Sequence, residues 1–131
     1  MVIDTSAIVA ILRNEAERHD FDRLVRADEI RLISAVTRVE ATCVVEGRWG
    51  ELGRAGLDRF LRLTNAEIVV VDSDQVEVAL ATFRRYGKGR HRASLNIGDC
   101  FAYALAKSTG ERLLFKGDDF SHTDIEPAYR P

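Results

Sequence analysis

Four short apolar runs, at 2–4, 31–34, 68–72 and 112–115, recur along the chain with longer amphipathic stretches between them. This alternation limits the fold more than any other feature. A strand that is apolar throughout, rather than on every second residue, has to be covered on both faces. Helix-length connections between strands supply that cover, because they allow parallel crossovers. The helical patterns fall at 6–13, 16–27, 36–49, 51–64, 73–86 and 96–109. The expected architecture is α/β, a three-layer α/β/α sandwich with a central parallel sheet. A chain of 131 residues with 46% hydrophobic content can build this as a single domain, 1–131.

Local signals agree with that outline. Ser73 precedes DQVEVALATF and is expected to cap its helix; Asn96 precedes IGDCFAYALAKS with Asp99 three residues on, a box-like start. Gly110 reads as the C-cap before the last strand. The two prolines, Pro127 and Pro131, leave the body of the chain unbroken. Cys43 and Cys100 lie far apart without a CxxC spacing, and both are expected to be buried small hydrophobes in a reducing compartment. No apolar run approaches the roughly 18 residues needed to span a bilayer. The acid in the opening MVID does not suit a secretory leader. The expected setting is therefore the cytoplasm, without a membrane.

In open parallel sheets, ligands collect beyond the carboxyl ends of the strands. Carboxylates from four separate segments fall there. Asp4 ends the first strand, and Glu40 lies one turn into the helix after RLIS. Asp99 is in the first turn of the last long helix, and Asp118 and Asp119 follow the last strand in LLFKGDD. Glu40 is spaced to share the helical stripe of Val36, Val39, Cys43 and Val44, so it is expected on a buried face. An unpaired buried carboxylate is costly, and like charges packed together cannot all stay ionised without a cation. A hard divalent ion with oxygen ligands, Mg²⁺ or Mn²⁺, resolves that conflict better than zinc. His19, His91 and His122 are scattered and read as surface residues.

The only dense positive run is FRRYGKGRHRASLNIGD. It holds Arg84, Arg85, Lys88, Arg90 and Arg92, with Gly87 and Gly89 suggesting a flexible loop that leads into the helix of Asp99. The net charge of −2 means that any affinity for nucleic acid has to come from such a local patch. A basic loop beside a carboxylate–metal cluster suits a polyanion whose phosphate sits on the metal.

MVIDTSAIVAIL, ISAVTRVEA, ASLNIGDCFAYALAKSTGERLLFKGDDF and HTDI together resemble a PIN-domain ribonuclease, and within that family a VapC-type toxin of a bacterial toxin–antitoxin pair. The resemblance implies Mg²⁺- or Mn²⁺-dependent cleavage of RNA on a compact α/β/α sandwich. It places the family's acidic residues on Asp4, Glu40 and Asp99, and the fourth on Asp118 or Asp119, of which Asp119, directly before Phe120, matches the commoner pattern. Ser6 matches a hydroxyl that supports the first aspartate. The resemblance also implies a homodimer and a cognate antitoxin whose tail covers the active site. On this reading Asp4 and Asp99 are the main ligands, and Glu40 and the 118–119 turn ligate a second ion or hold water. The ion activates water for attack at phosphorus, leaving a 5′-phosphate and a 3′-hydroxyl. Two rivals remain at this level. A receiver-like phosphoacceptor domain would use Asp72 and Lys116, and a non-catalytic RNA-binding module would use the basic loop alone.

Overall fold

The shortest elements organise the molecule. In the computed structural model, which describes all 131 residues, the elements run β1 (Val2–Ile3), α1 (Thr5–Leu12), α2 (Arg18–Ala27), β2 (Leu32–Ser34), α3 (Ala35–Thr64), β3 (Glu67–Val69), α4 (Ser73–Tyr86), α5 (Ile97–Thr109) and β4 (Leu113–Leu114). A 3₁₀ turn follows at Phe120–His122. The strands form one parallel sheet in the order β3-β2-β1-β4.

Burial, not ladder length, holds these strands. Val2 pairs with Leu113, and both face a cluster built with α4 and α5. Ile3 pairs with Leu114, and both face the opposite cluster, built with α1, α2 and α3. All four side chains are fully buried. Each contributes about 1.5–3 kcal/mol by leaving water, against about 1 kcal/mol net for a ladder hydrogen bond. Because alternate residues feed opposite clusters, a one-residue slip would exchange the two faces at every position. The three-layer reading of the sequence holds.

Several local expectations shift. The third strand stops at Val69 rather than continuing to Asp72; Val70 is 75% exposed where the chain leaves the sheet edge. Asp72, not Ser73, caps α4, accepting the Gln75 N–H at 2.8 Å. The patterns at 36–49 and 51–64 form one element, α3, bent at Gly50, whose φ of 57° and ψ of −135° interrupt the helical path. That left-handed φ favours glycine. Cys100 is buried as expected, but Cys43 is exposed.

Cys43 is exposed because the buried stripe of α3 runs through Thr37, Ala41 and Val45, whereas Val39 is 64% exposed. Glu40 therefore flanks the buried face rather than lying within it. The 87–95 loop is also more ordered than its glycines suggest. Lys88 N–H donates to Leu95 O, Leu95 N–H to Tyr86 O, and Ala93 N–H to His91 Nδ1. Ala93 and Leu95 are fully buried beneath it. The His91 ring is half-buried and packs edge-on against Tyr86, with centroids 5.1 Å apart. No helix is long and apolar enough to cross a membrane.

Candidate active site

The end of β1 delivers Asp4 into the molecule. Asp4 is the N-cap of α1, and its Oδ2 accepts both the Ser6 N–H at 2.9 Å and the Ser6 hydroxyl at 2.5 Å. The Ser6 oxygen also accepts the Lys116 N–H at 3.0 Å, which ties the exit of β4 to the same point. Capping uses only Oδ2. Oδ1 is buried and has no hydrogen-bond partner. Burial pushes the Asp4 carboxyl above its usual range; the Ser6 hydrogen bonds work against that rise, and the charge of Glu40 adds to it.

Helix α5 delivers Asp99. Asn96 caps it, and the capping box closes in both directions, with Asp99 N–H donating to Asn96 Oδ1 and Asn96 N–H to Asp99 Oδ2, each at 2.9 Å. The box fixes the carboxylate through one oxygen. Burial pushes the Asp99 carboxyl up to about 7; the Asn96 N–H opposes this, and the charges of Asp4, Glu40 and Asp119 reinforce it.

Glu40 comes from the first turns of α3. Its Oε1 accepts the Thr5 hydroxyl at 2.5 Å. Its Oε2 lies against the Cα of Gly98, so close that a Cβ there would stand 2.1 Å from it. Gly98 is thus the gap through which Glu40 reaches the acid beside it on α5. Asp4, Asp99 and Glu40 share one pattern: the protein holds one oxygen of each carboxylate and leaves the other.

Asp118 and Asp119 follow the exit of β4, where Gly117 takes a φ of 101°. The two neighbours diverge. Asp119 acts on Asp99 through its charge, whereas Asp118 lines a separate cavity of about 570 Å³ with Glu17, Phe115, Lys116 and Tyr129. Lys116 is committed to Glu15 and Glu17, at 2.5 and 2.8 Å, and so is not the free lysine that the phosphoacceptor reading needs.

The five basic residues also divide. Arg85 pairs with Asp124 at 3.5 Å and lies over the Tyr86 ring, and Arg90 lies over the Phe83 ring. Arg84, Lys88 and Arg92 are exposed, and no carboxylate pairs with them.

Sequence reasoning missed three contributors. Thr5 donates to Glu40, Gly98 makes room for it, and Asp124 accepts the Tyr103 hydroxyl beside the acid turn. Thr5 and Asp124 lie inside the DTSA and HTDI motifs, where the spacing of the other acids drew attention away from them.

No three histidine, cysteine or carboxylate side chains are already closed around one point. The donor set nevertheless suits a hard cation. It consists of carboxylate oxygens only, one of which, Asp4 Oδ1, is buried without a partner, and the charges of Asp4, Glu40 and Asp119 all act on Asp99. Asp72, the acid a phosphoacceptor reading needs, is exposed and spent on capping α4.

Comparison with known proteins gives the family. The model of the PIN domain matches residues 1–126. Ribonuclease VapC30 of Mycobacterium tuberculosis is 51% identical over 131 residues, covering 100% of both chains. Ribonuclease VapC of Mycolicibacterium smegmatis is 50% identical over 125 residues, 95% of this chain and 97% of the relative. Among solved structures, VapC20 of Mycobacterium tuberculosis, described as a sarcin-ricin loop cleaving toxin, superposes with a TM-score of 0.78 at 18% identity, covering 99% of this chain and 98% of the other. VapBC2 of Rickettsia felis, bound to a DNA fragment from its promoter, gives 0.74 at 16% identity over 96% and 94%. With its parallel sheet, its strand-end carboxylates and relatives matched from end to end, the chain belongs to the PIN-domain family, among the VapC ribonucleases of toxin–antitoxin systems.

Proposed function

We propose that this protein is a divalent-metal-dependent ribonuclease toxin that cuts RNA phosphodiester bonds by hydrolysis and is silenced by a cognate antitoxin. One observation carries the metal dependence. Asp4 Oδ1 is buried, unpartnered and beside a second carboxyl already forced up to about 7. Such an arrangement is costly when empty and favourable around a cation. Asp4 and Asp99 would hold Mg²⁺ or Mn²⁺, with Glu40 and Asp119 completing the set. When bound, the ion supplies activation of water near neutral pH and neutralisation of charge at phosphorus. The residues have their own tasks. Ser6 fixes Asp4, Asn96 fixes Asp99, and Thr5 aims Glu40 past Gly98. Arg84, Lys88 and Arg92 offer free cations for the RNA backbone.

Three features support partners. Ile11, Leu12, Val25, Phe60 and Leu63, rimmed by Arg18, Asp22, Arg26 and Arg59, line a hollow of about 380 Å³ between α1, α2 and the second half of α3, suited to an amphipathic helix of an antitoxin. A carboxylate-lined site also suits an antitoxin arginine, which is always charged and can bind a carboxylate through two hydrogen bonds. Val76, Leu80, Phe83 and Ile97 border a second apolar hollow on α4 and α5, consistent with a homodimer.

Sequencing of RNA ends after brief induction in cells tests the reading. The expected products carry 5′-phosphates and 3′-hydroxyls and are absent with Asp4→Asn, Glu40→Gln or Asp99→Asn. Products ending in 2′,3′-cyclic phosphate would sink hydrolysis by activated water. Uncut RNA that binds equally well in chelator would favour the binding module.

A further inference from the structure

Asp99 and Tyr103 are four residues apart on α5, and Lys107 is four further on, so the three lie along one stripe of the helix. The chain from 116 to 126 is an excursion between β4 and its return to the sheet at Pro127. It carries Asp119. Its ends are tied down, Lys116 by Ser6, Glu15 and Glu17 and Glu126 by the Leu113 N–H; between them lie a 3₁₀ turn and two buried side chains, Phe120 and Ile125. These anchor the excursion to the core. Phe120, next to Asp119, packs in the cluster that α5 builds, while the like charges of Asp119 and Asp99 oppose the approach of the acid itself.

Asp124 supplies the opposing attraction. Its Oδ1 accepts the hydroxyl of Tyr103, whose side chain is buried. Its Oδ2 lies 3.3 Å from Lys107 Nζ and 3.5 Å from Arg85 Nη1, and its backbone carbonyl accepts from Lys107 Nζ at 3.3 Å. The ion pairs are half-exposed and contribute little alone. The tyrosine bond is the anchor, because its donor is 5% exposed and loses its acceptor if the excursion lifts away.

We infer that Asp124 is a positioning residue of the metal site: by fastening the 116–126 excursion to Tyr103 and Lys107 on the Asp99 stripe, it holds Asp119 in place before the cation arrives. The acid turn thus faces α5 with a like charge, Asp119 towards Asp99, and with an attractive contact, Asp124 on Tyr103 and Lys107. Arg85 belongs to this clamp, which links the basic segment to the acid turn. The inference rests on the metal-site reading above.

Calorimetric titration of the full chain with Mn²⁺ alone, without RNA, tests it. Asp124→Ala is expected to weaken Mn²⁺ binding by about tenfold, the usual effect of losing a group that orients a ligand. Cleavage by this variant should recover towards wild type at saturating Mn²⁺. Tyr103→Phe, which removes one oxygen and is safer for folding, should shift affinity in the same direction by a smaller factor. Glu126→Gln, which breaks the exposed pair with Arg130, should leave affinity unchanged and controls for general loosening of the segment. Wild-type affinity in either Asp124→Ala or Tyr103→Phe overturns the clamp. A wild-type protein that binds no Mn²⁺ overturns the metal site itself, a different failure with a different signature.

Discussion

Asp99 stores the conflict that defines the site. Its carboxyl is held at about 7, against an ordinary value of 3.8, chiefly because it is buried. A raised acid binds more protons folded than unfolded, so its contribution to stability is greatest at low pH and is lost as pH rises from about 4 to about 7. Other groups impose the opposite slope at lower pH. The Asp124 carboxyl is held down chiefly by Tyr103, and Asp28 is held down by the Ile30 N–H and the terminal amine. The informative quantity is therefore a difference. The melting temperature of the metal-free wild type, minus that of Asp99→Asn, should fall across this window and be flat above it. Added Mn²⁺ should erase the fall at neutral pH, since binding displaces the proton. A flat difference throughout would mean that Asp99 is not desolvated in solution. Glu40 shares the site, and Glu40→Gln is expected to leave the metal-free melting temperature unchanged or raised, because a charge that repels Asp4 and Asp99 is gone. A large loss would instead mark the Thr5–Glu40 bond as structural.

Elements decide where these residues meet, and here sequence was partly legible. Strand-end placement brought Asp4, Asp99 and the 118–119 turn to one edge, because apolar runs and cap signals are local. The face of α3 was not legible. Val36, Val39 and Cys43 outrank Thr37 and Ala41 in hydrophobicity, yet the smaller pair faces the core, where the helix packs closely. Glu40 reached the site from the flank of that face, a matter of tertiary packing that periodicity does not record. The difference between Asp118, which lines a separate cavity, and Asp119, whose charge acts on Asp99, was likewise hidden, since periodicity says nothing of a turn. Gly98 gives an element-scale prediction. Alanine in a helix is favoured over glycine by about 1 kcal/mol, but its Cβ would stand 2.1 Å from Glu40 Oε2. The end of a flexible side chain can yield, so Gly98→Ala should fold with equal or greater stability while Glu40 is displaced. Strongly reduced cleavage beside an unchanged or raised melting temperature is the expected pair of results. Full activity would show that Glu40 need not occupy its present place.

At the scale of the molecule, the charge balance poses a problem for a nuclease. The net charge is −2, and the site itself gathers carboxylates, so the RNA backbone has to be attracted locally. On the function proposed above, the basic segment beside α5 is the source of this attraction, and its cations are unevenly available. Arg84, Lys88 and Arg92 are free, whereas Arg85 is held by Asp124 and Tyr86. Free cations release counterions from RNA, and each phosphate contact adds about 0.7 to the salt slope for a single strand. Replacing Arg84, Lys88 and Arg92 together by Gln should flatten the slope by about 2. Arg85→Gln should change the slope less, because its charge already faces Asp124. Fluorescence anisotropy with labelled RNA over a salt series, in the uncleaving Asp4→Asn background, measures the slopes directly. If the triple variant keeps the wild-type slope, the RNA runs over another face. If Arg85→Gln flattens it as much as the other three together, the division between free and committed cations is wrong. Both outcomes can be read without knowing which RNA the enzyme cuts, because the slope counts phosphates and not bases.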